Sequence, residues 1–237
     1  MKRIGIHQPE HLPWLGFINK VMNVDEFVLL DNVQFRKNYF QNRNKIRTKE
    51  SWQWLTVPLK KFHSNQKINE IKISYSKDWQ SQNLNAIKNS YIKAKYFDAY
   101  FKDFEKIYKN EFMLLRDLNI ELIKFILQKL GIHTKLHISS ELLDDPEQGG
   151  TNVTLNICKK LNADIYLSGA FGKDYLDVSK FEKEDIEVKF QDFKHPIYNQ
   201  LYEPFIPNMS SIDLLFNYGK DTLNIIKGGK EQNEKSS

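Results

Sequence analysis

A chain of 237 residues, 41% of them hydrophobic, is long enough to bury a sizeable core, and its formal charge of +5 comes from acids and bases that are mostly interspersed. That balance describes a solvated surface with a mild preference for anions such as phosphates and argues against a nucleic-acid partner. A single cysteine, Cys158, excludes an intrachain disulfide and a cysteine-built metal site. The start MKRIGIHQPEHLPW lacks a signal-peptide core and no apolar run approaches ~18 residues, so the expectation is a cytoplasmic protein with no membrane span.

In chain order, RIGIH (3–7) reads as a short buried strand and EFVLLD (26–31) as a second. Between them PWLGFINKVMNVD has room for a short helix, with Pro13 suited to its first position. Strand, helix, strand in one short stretch predicts a βαβ unit and a parallel pair. His7 and Asp31 would then emerge together at the carboxyl edge, where open α/β sheets bind ligands. His7 is the first acid/base candidate, on a mount stiffened by Pro9 and Pro13, with Gln8 beside it as a ligand contact and Asp31 as a catalytic partner.

In LDNVQFRKNYFQNRNKIR (30–47), Arg36, Lys37, Arg43, Lys45 and Arg47 alternate with Gln34, Asn38, Gln41, Asn42 and Asn44. Guanidinium forks match phosphate or carboxylate, and amides read sugar hydroxyls. The stretch is predicted to be a binding loop, using Gln34, Arg36, Asn42, Arg43 and Asn44, with Lys37 and Lys45 merely solvated. SWQWLTVPL (51–59) and INEIKIS (68–74) read as a hairpin or edge ribbon. From about 78 to 130 apolar residues recur at helical spacing, as in Leu115, Leu118, Leu122, Ile123, Ile126 and Leu130, and Gly131 ends the block.

TKLHISSEL (134–142) returns to strand, DDPEQGGTN (144–152) is a loop, and Thr151 is placed to cap the helix TLNICKKLN. ADIYLSGAFGKDYLD (163–177) is a strand running into a glycine turn. Ser168 and Gly169 stand at its strand end, Lys173 suits an anion, and Asp174 and Tyr175 are placed to orient it. IEVKFQDF (186–193) is another strand. It leads to FQDFKHPIYNQ, where His195, fixed by Pro196, is the second acid/base candidate and Gln200 a ligand contact. SIDLLFNYGKDTLNII (211–226) reads as a short helix pair capped by Ser210 or Ser211, and KGGKEQNEKSS has nothing to bury. The expectation is one α/β domain over 1–226, a Rossmann-like parallel sheet with a helical insertion at about 78–130, and a disordered tail at 227–237. Nucleotide, zincin and hydrolase signatures (G-x-x-x-x-G-K-[ST], G-x-G-x-x-G, H-E-x-x-H, G-x-S-x-G) are absent, and the six histidines show no metal-ligand spacing, so no metal is expected.

Taken together, IGIHQPEHLPWLGFINK, VQFRKNYFQNRNKIR, WQWLTVPL, YLSGAFGKDYLD and FKHPIYNQLYEPFIPNMSSIDLLFNYG resemble, in order, the WbqC-like protein family. Members are bacterial and are encoded among genes for O-antigen, capsule or other surface glycans. The resemblance implies an enzyme of surface-polysaccharide biosynthesis acting on a sugar nucleotide. Acyl or aminoacyl transfer to an amino sugar fits that setting, with a nucleotide or an acyl thioester as donor. A fainter similarity joins the first strand, turn and helix, and NADIYLSGAFGKDYLD, to pantothenate synthetase-like nucleotidylyl-transfer domains. Their paired histidines, H-x-G-H, match here only at His11, since Pro13 replaces the glycine and Trp14 the second histidine. An ATP-dependent ligase or nucleotidyltransferase, and a non-catalytic sugar-nucleotide-binding or scaffold protein, are therefore the alternatives, and the oligomeric state stays open.

Overall fold

The computed structural model describes residues 1–143 and 150–228. Residues 144–149 of the loop expected over 144–152, and the tail from residue 229, lie outside the described residues, and residues 150–152 are helical rather than loop. Five strands form a sheet whose neighbours are all parallel: β1 (Arg3–His7), β2 (Glu26–Leu29), β5 (Lys135–Ile138), β6 (Ile165–Ser168) and β7 (Glu187–Phe190), in the order β5-β2-β1-β6-β7. The central strands are apolar on both faces because both faces are covered. Ile4, Ile6 and Val28 pack with Val153, Ile157, Cys158 and Phe181 of α6 (Gly150–Lys160) and α7 (Val178–Glu182). Phe27 and Leu29 face the other way, into the core shared by α1 (Leu15–Met22) and the helices that follow. Phe27 is fully buried, which stabilises by about 1.5–3 kcal/mol, and Gly5 makes room for it: a Cβ there would sit 2.9 Å from the Phe27 ring. This is the Rossmann-like α/β arrangement that the opening βαβ pattern predicts.

The strand order contains one reversal of winding. From β1 the chain moves outward through β2 to β5, then returns past β1 to build β6 and β7 on the other side. The direction of winding reverses between β1 and β6, and the crevice at the carboxyl ends of those two strands is the topological switch point.

The long excursion between β2 and β5 carries an antiparallel hairpin, β3 (Arg43–Arg47) and β4 (Trp52–Thr56), and the helices α2 (Trp79–Tyr91), α3 (Phe97–Tyr108) and α4 (Leu115–Leu130). The hairpin corrects two expectations. The partner of β4 is not 68–74 but the basic stretch 43–47, read from sequence as loop. Its outward side chains Arg43 and Lys45 lie over Trp54 and Trp52, at 4.2 and 4.4 Å from the ring centroids, so cations do there what β-branched residues usually do. Residues 68–74 instead hold a 3-10 turn (Ile68–Glu70) and two isolated bridges, Ile73 with Leu59 and Lys72 with Leu114.

Arg47, fully buried, pins the hairpin to a distant segment: its guanidinium donates to the carbonyls of Thr48 and Ser51 and to those of Tyr202 and Pro204. Gly131 ends α4 in the left-handed region, φ +70. After β5 comes the single turn α5 (Ser139–Leu142). The chain closes with α8 (Ser211–Tyr218), capped by the Ser210 hydroxyl accepting from the Ile212 amide, and α9 (Thr222–Ile226). Thr151 lies within the first turn of α6, where its hydroxyl accepts from the Asp177 amide at 3.1 Å. Among the described residues no helix is long and apolar enough to cross a membrane.

Candidate active site at the sheet's carboxyl edge

The parallel register places His7 opposite Leu29 and Ser168 opposite Phe190, so the turns after β1, β2 and β6 open on one edge. His7 is the last residue of β1. Its Nδ1 lies 3.0 Å from the Gln8 carbonyl and donates to it, which leaves Nε2 as the unprotonated nitrogen of the neutral ring. The ring packs edge-on against Phe17 at 5.3 Å and keeps about a third of its surface open. Desolvation, and then the nearby Lys20 ammonium, lower its pKa to about 4 against the hydrogen bond to Gln8. Water on the open third offsets part of that, and the direction is what counts: at pH 7 the ring is neutral.

Two ionisable residues stand close to it. Glu10 is 3% exposed, its Oε1 lies 3.9 Å from His7 Nε2, and its Oε2 has no hydrogen-bond partner. Burial pushes its pKa up to about 8, with Lys20 opposing. Lys20 is 2% exposed and donates to the Ile6 carbonyl at 2.7 Å; burial lowers its pKa to about 7, with Glu10 opposing. An imidazole, a carboxyl and an amine, each moved from its ordinary range, are gathered at the switch point. Sequence reasoning missed Glu10 and Lys20. The available signal was the helix LGFINKVM, where Lys20 shares the buried face with Phe17 and Val21.

The loop after β2 docks against this turn. The Gln41 side chain donates to Gln8 Oε1 and accepts from the Arg36 amide at 2.8 Å, while the His11 amide donates to the Phe40 carbonyl at 2.9 Å. The Arg36 guanidinium stays exposed, 5.9 Å from the Tyr39 ring, and its charge reaches the Tyr175 phenol, whose pKa burial raises and Arg36 pulls back. Across the crevice Ser168 ends β6, buried, and Gly169 follows with open space where a side chain would be. A Cβ on Gly172 would sit 2.0 Å from the Ser168 hydroxyl, so glycine is required there. Lys173 and Asp174 are exposed on this turn, the lysine 5.6 Å from the Phe190 ring, and Tyr175 covers Gly150 at the start of α6.

Other predicted residues are engaged elsewhere. Arg43 donates to the Asn38 carbonyl under its stack on Trp54, Asn42 to Val57, Asn44 to Leu12 and Gln34 to Ser64, so these four side chains fasten the hairpin and its loops. Asp31 reaches the predicted edge but turns its carboxylate toward the sheet's outer strand. Oδ1 accepts from the Ser139 hydroxyl and the Ser140 amide, and Oδ2 from the Ser140 hydroxyl and the Arg116 guanidinium. His195 donates from Nδ1 to the Pro196 carbonyl at 2.8 Å and accepts at Nε2 from the Asn208 amide at 3.2 Å, leaving neither nitrogen for a substrate. Gln200 is buried, bonded to Ile206 and Asp213. His11, fully buried, donates to Asn119 at 3.2 Å and accepts from the Tyr108 hydroxyl at 3.1 Å. The match to a phosphate-binding histidine pair therefore has no histidine facing the crevice at that position.

The sequence profile of the WbqC-like protein family matches residues 8–225, which spans every group just described except His7 itself. A relative from Mycobacterium tuberculosis, "Uncharacterized protein Rv1507c", is 35% identical over 228 residues, covering 93% of this chain and 96% of its own. No solved structure matches. With a match over nearly its whole length, the chain belongs to the WbqC-like protein family.

Proposed function

We propose that the chain is an enzyme of bacterial surface-polysaccharide assembly that transfers an acyl or aminoacyl group from an activated donor to the amine of a nucleotide-linked amino sugar. The observation that carries the reading is His7: a neutral imidazole, partly open, with Nε2 aimed away from its only hydrogen bond, at the place where this kind of sheet holds ligands. The substrate amine attacks the carbonyl carbon of a thioester donor. A C–N bond forms, the C–S bond breaks, and the amine proton passes to His7 Nε2 and then to the leaving thiolate. Glu10, its Oε1 3.9 Å from His7 Nε2, stands close enough for the two groups to titrate as a pair, so the transferred proton is not confined to the imidazole. Arg36 and Lys173, exposed on the two sides of the crevice, supply positive charge for an anionic donor. Of the two histidines weighed from sequence, His7 is the one with a nitrogen to offer. The engagement of His11 by Asn119 and Tyr108 favours transfer over adenylate formation.

The test is a panel of nucleotide-linked amino sugars and acyl thioesters incubated with the protein, with and without ATP, and read by mass spectrometry. An acylated sugar formed without ATP is the expected result. Pyrophosphate release that requires ATP replaces this reading with a ligase, and tight binding with no product from any pair replaces it with a non-catalytic binder.

A further inference from the structure

The stretch between β2 and β3 and the segment after β4 enclose an open cavity of about 530 Å³ that the sheet edge does not use. That volume falls in the range of about 300–1,000 Å³ usual for small-molecule sites. Its wall is aromatic and apolar, with Phe35 buried edge-on beneath Phe62 at 5.1 Å and Leu59 beside them. Its rim carries Lys37, Lys60 and Lys61, all exposed.

Among the described residues no carboxylate pairs with these three ammoniums, and no acidic residue lines the cavity. The contrast with the hairpin is direct, because Lys45 and Arg43 cover tryptophan faces whereas the cavity lysines have no such neighbour. The frame is fixed by backbone and amide bonds: Phe35 N–H to Gln66, Lys60 N–H to Lys72, and the Gln34 amide to Ser64. Three like charges held around an apolar wall repel one another until a polyanion with a flat or apolar body fills the space.

We infer that this cavity is a nucleotide subsite, in which the ring of a nucleoside diphosphate lies against Phe62 and Leu59 and its phosphates meet Lys37, Lys60 and Lys61. The subsite rests on the sugar-nucleotide reading for the identity of the whole ligand. Lys37 follows Arg36, whose amide is tied through Gln41 to Gln8, so the same short segment borders both this cavity and the His7 turn.

Calorimetry with UDP, dTDP and GDP on the intact chain tests it, beside the double variant Lys60→Ala/Lys61→Ala. These lysines are exposed, and an unchanged melting temperature verifies that the variant is folded. The expected result is saturable binding of at least one nucleotide, weakened tenfold or more in the variant and with a shallower salt dependence. Ligand protection of Lys37, Lys60 and Lys61 from acetylation gives a second readout. Equal affinity in the folded variant, no saturable binding of any of the three, or pyrophosphate alone binding as tightly as the nucleotide would each overturn the subsite. Transfer with an unchanged KM for the sugar nucleotide in the variant overturns the subsite and leaves the proposed reaction. Nucleotide binding at these lysines by a protein that makes no product does the reverse.

Discussion

Asp31 and Glu10 are both buried carboxyl groups beside the carboxyl edge of one sheet, and they could hardly be treated more differently. Asp31 receives a guanidinium, two hydroxyls and an amide, so its charge is fully paired and it braces the end of β2 against α4 and α5. Glu10 has an orphan oxygen, a lysine nearby whose ammonium bonds a carbonyl instead, and an imidazole too far away for a hydrogen bond. A buried carboxylate whose charge is paired braces the scaffold, whereas a buried carboxyl with an oxygen left unpaired is costly to ionise and holds its proton to higher pH.

The sharpest break in that comparison is His7→Ala. It should lower kcat for transfer by about 10²–10⁴-fold with little change in melting temperature, measured by steady-state kinetics beside thermal denaturation. A variant that melts early or keeps full turnover would assign His7 to the scaffold. Asp31→Ala should do the opposite, removing about 1–3 kcal/mol of stability by leaving the part-buried Ser140 amide without its acceptor, as read by urea denaturation. Glu10→Gln probes the unsatisfied side. Between pH 4.5 and about 8 the folded protein keeps a proton on Glu10 that the unfolded chain has released, so this group's contribution falls as pH rises across that window. The glutamine variant lacks that decline, and its stability relative to the parent should improve from pH 5 to pH 8; a flat difference would show that Glu10 ionises at its ordinary pKa. The smallest effect belongs to Arg43→Ala, about 1 kcal/mol or less from the lost stack on Trp54, with KM for the sugar nucleotide unchanged. A large rise in KM would restore Arg43 to the binding role its sequence suggests.

The sheet was legible where side chains answer to local rules. RIGIH and EFVL are apolar on consecutive positions because both faces are covered, and α4 shows its helix in the spacing from Leu115 to Leu130. The strand RNKIR was hidden because its outward positions are cations that acquire aromatic partners only once β4 lies alongside. The position of Asp31 at the edge followed from strand order, but its orientation depended on Arg116, Ser139 and Ser140, which lie far along the chain. The amide-rich loop looked like a ligand surface for a similar reason: Asn42, Asn44 and Gln34 meet backbone carbonyls that no sequence window contains. Glu10 and Lys20 were overlooked because charged residues are read as solvent-facing unless a partner is in view.

The position of β1 at the middle of the sheet has a kinetic meaning. It meets β2 after a single short helix, yet its other neighbour is β6, with Arg3 registered against Ile165. Half of the crevice can therefore assemble early from local contacts, while the half bearing Ser168 must wait for most of the polypeptide to be in hand. During synthesis on the ribosome, the edge of β1 that will receive β6 stays unpaired until the last third of the chain has emerged.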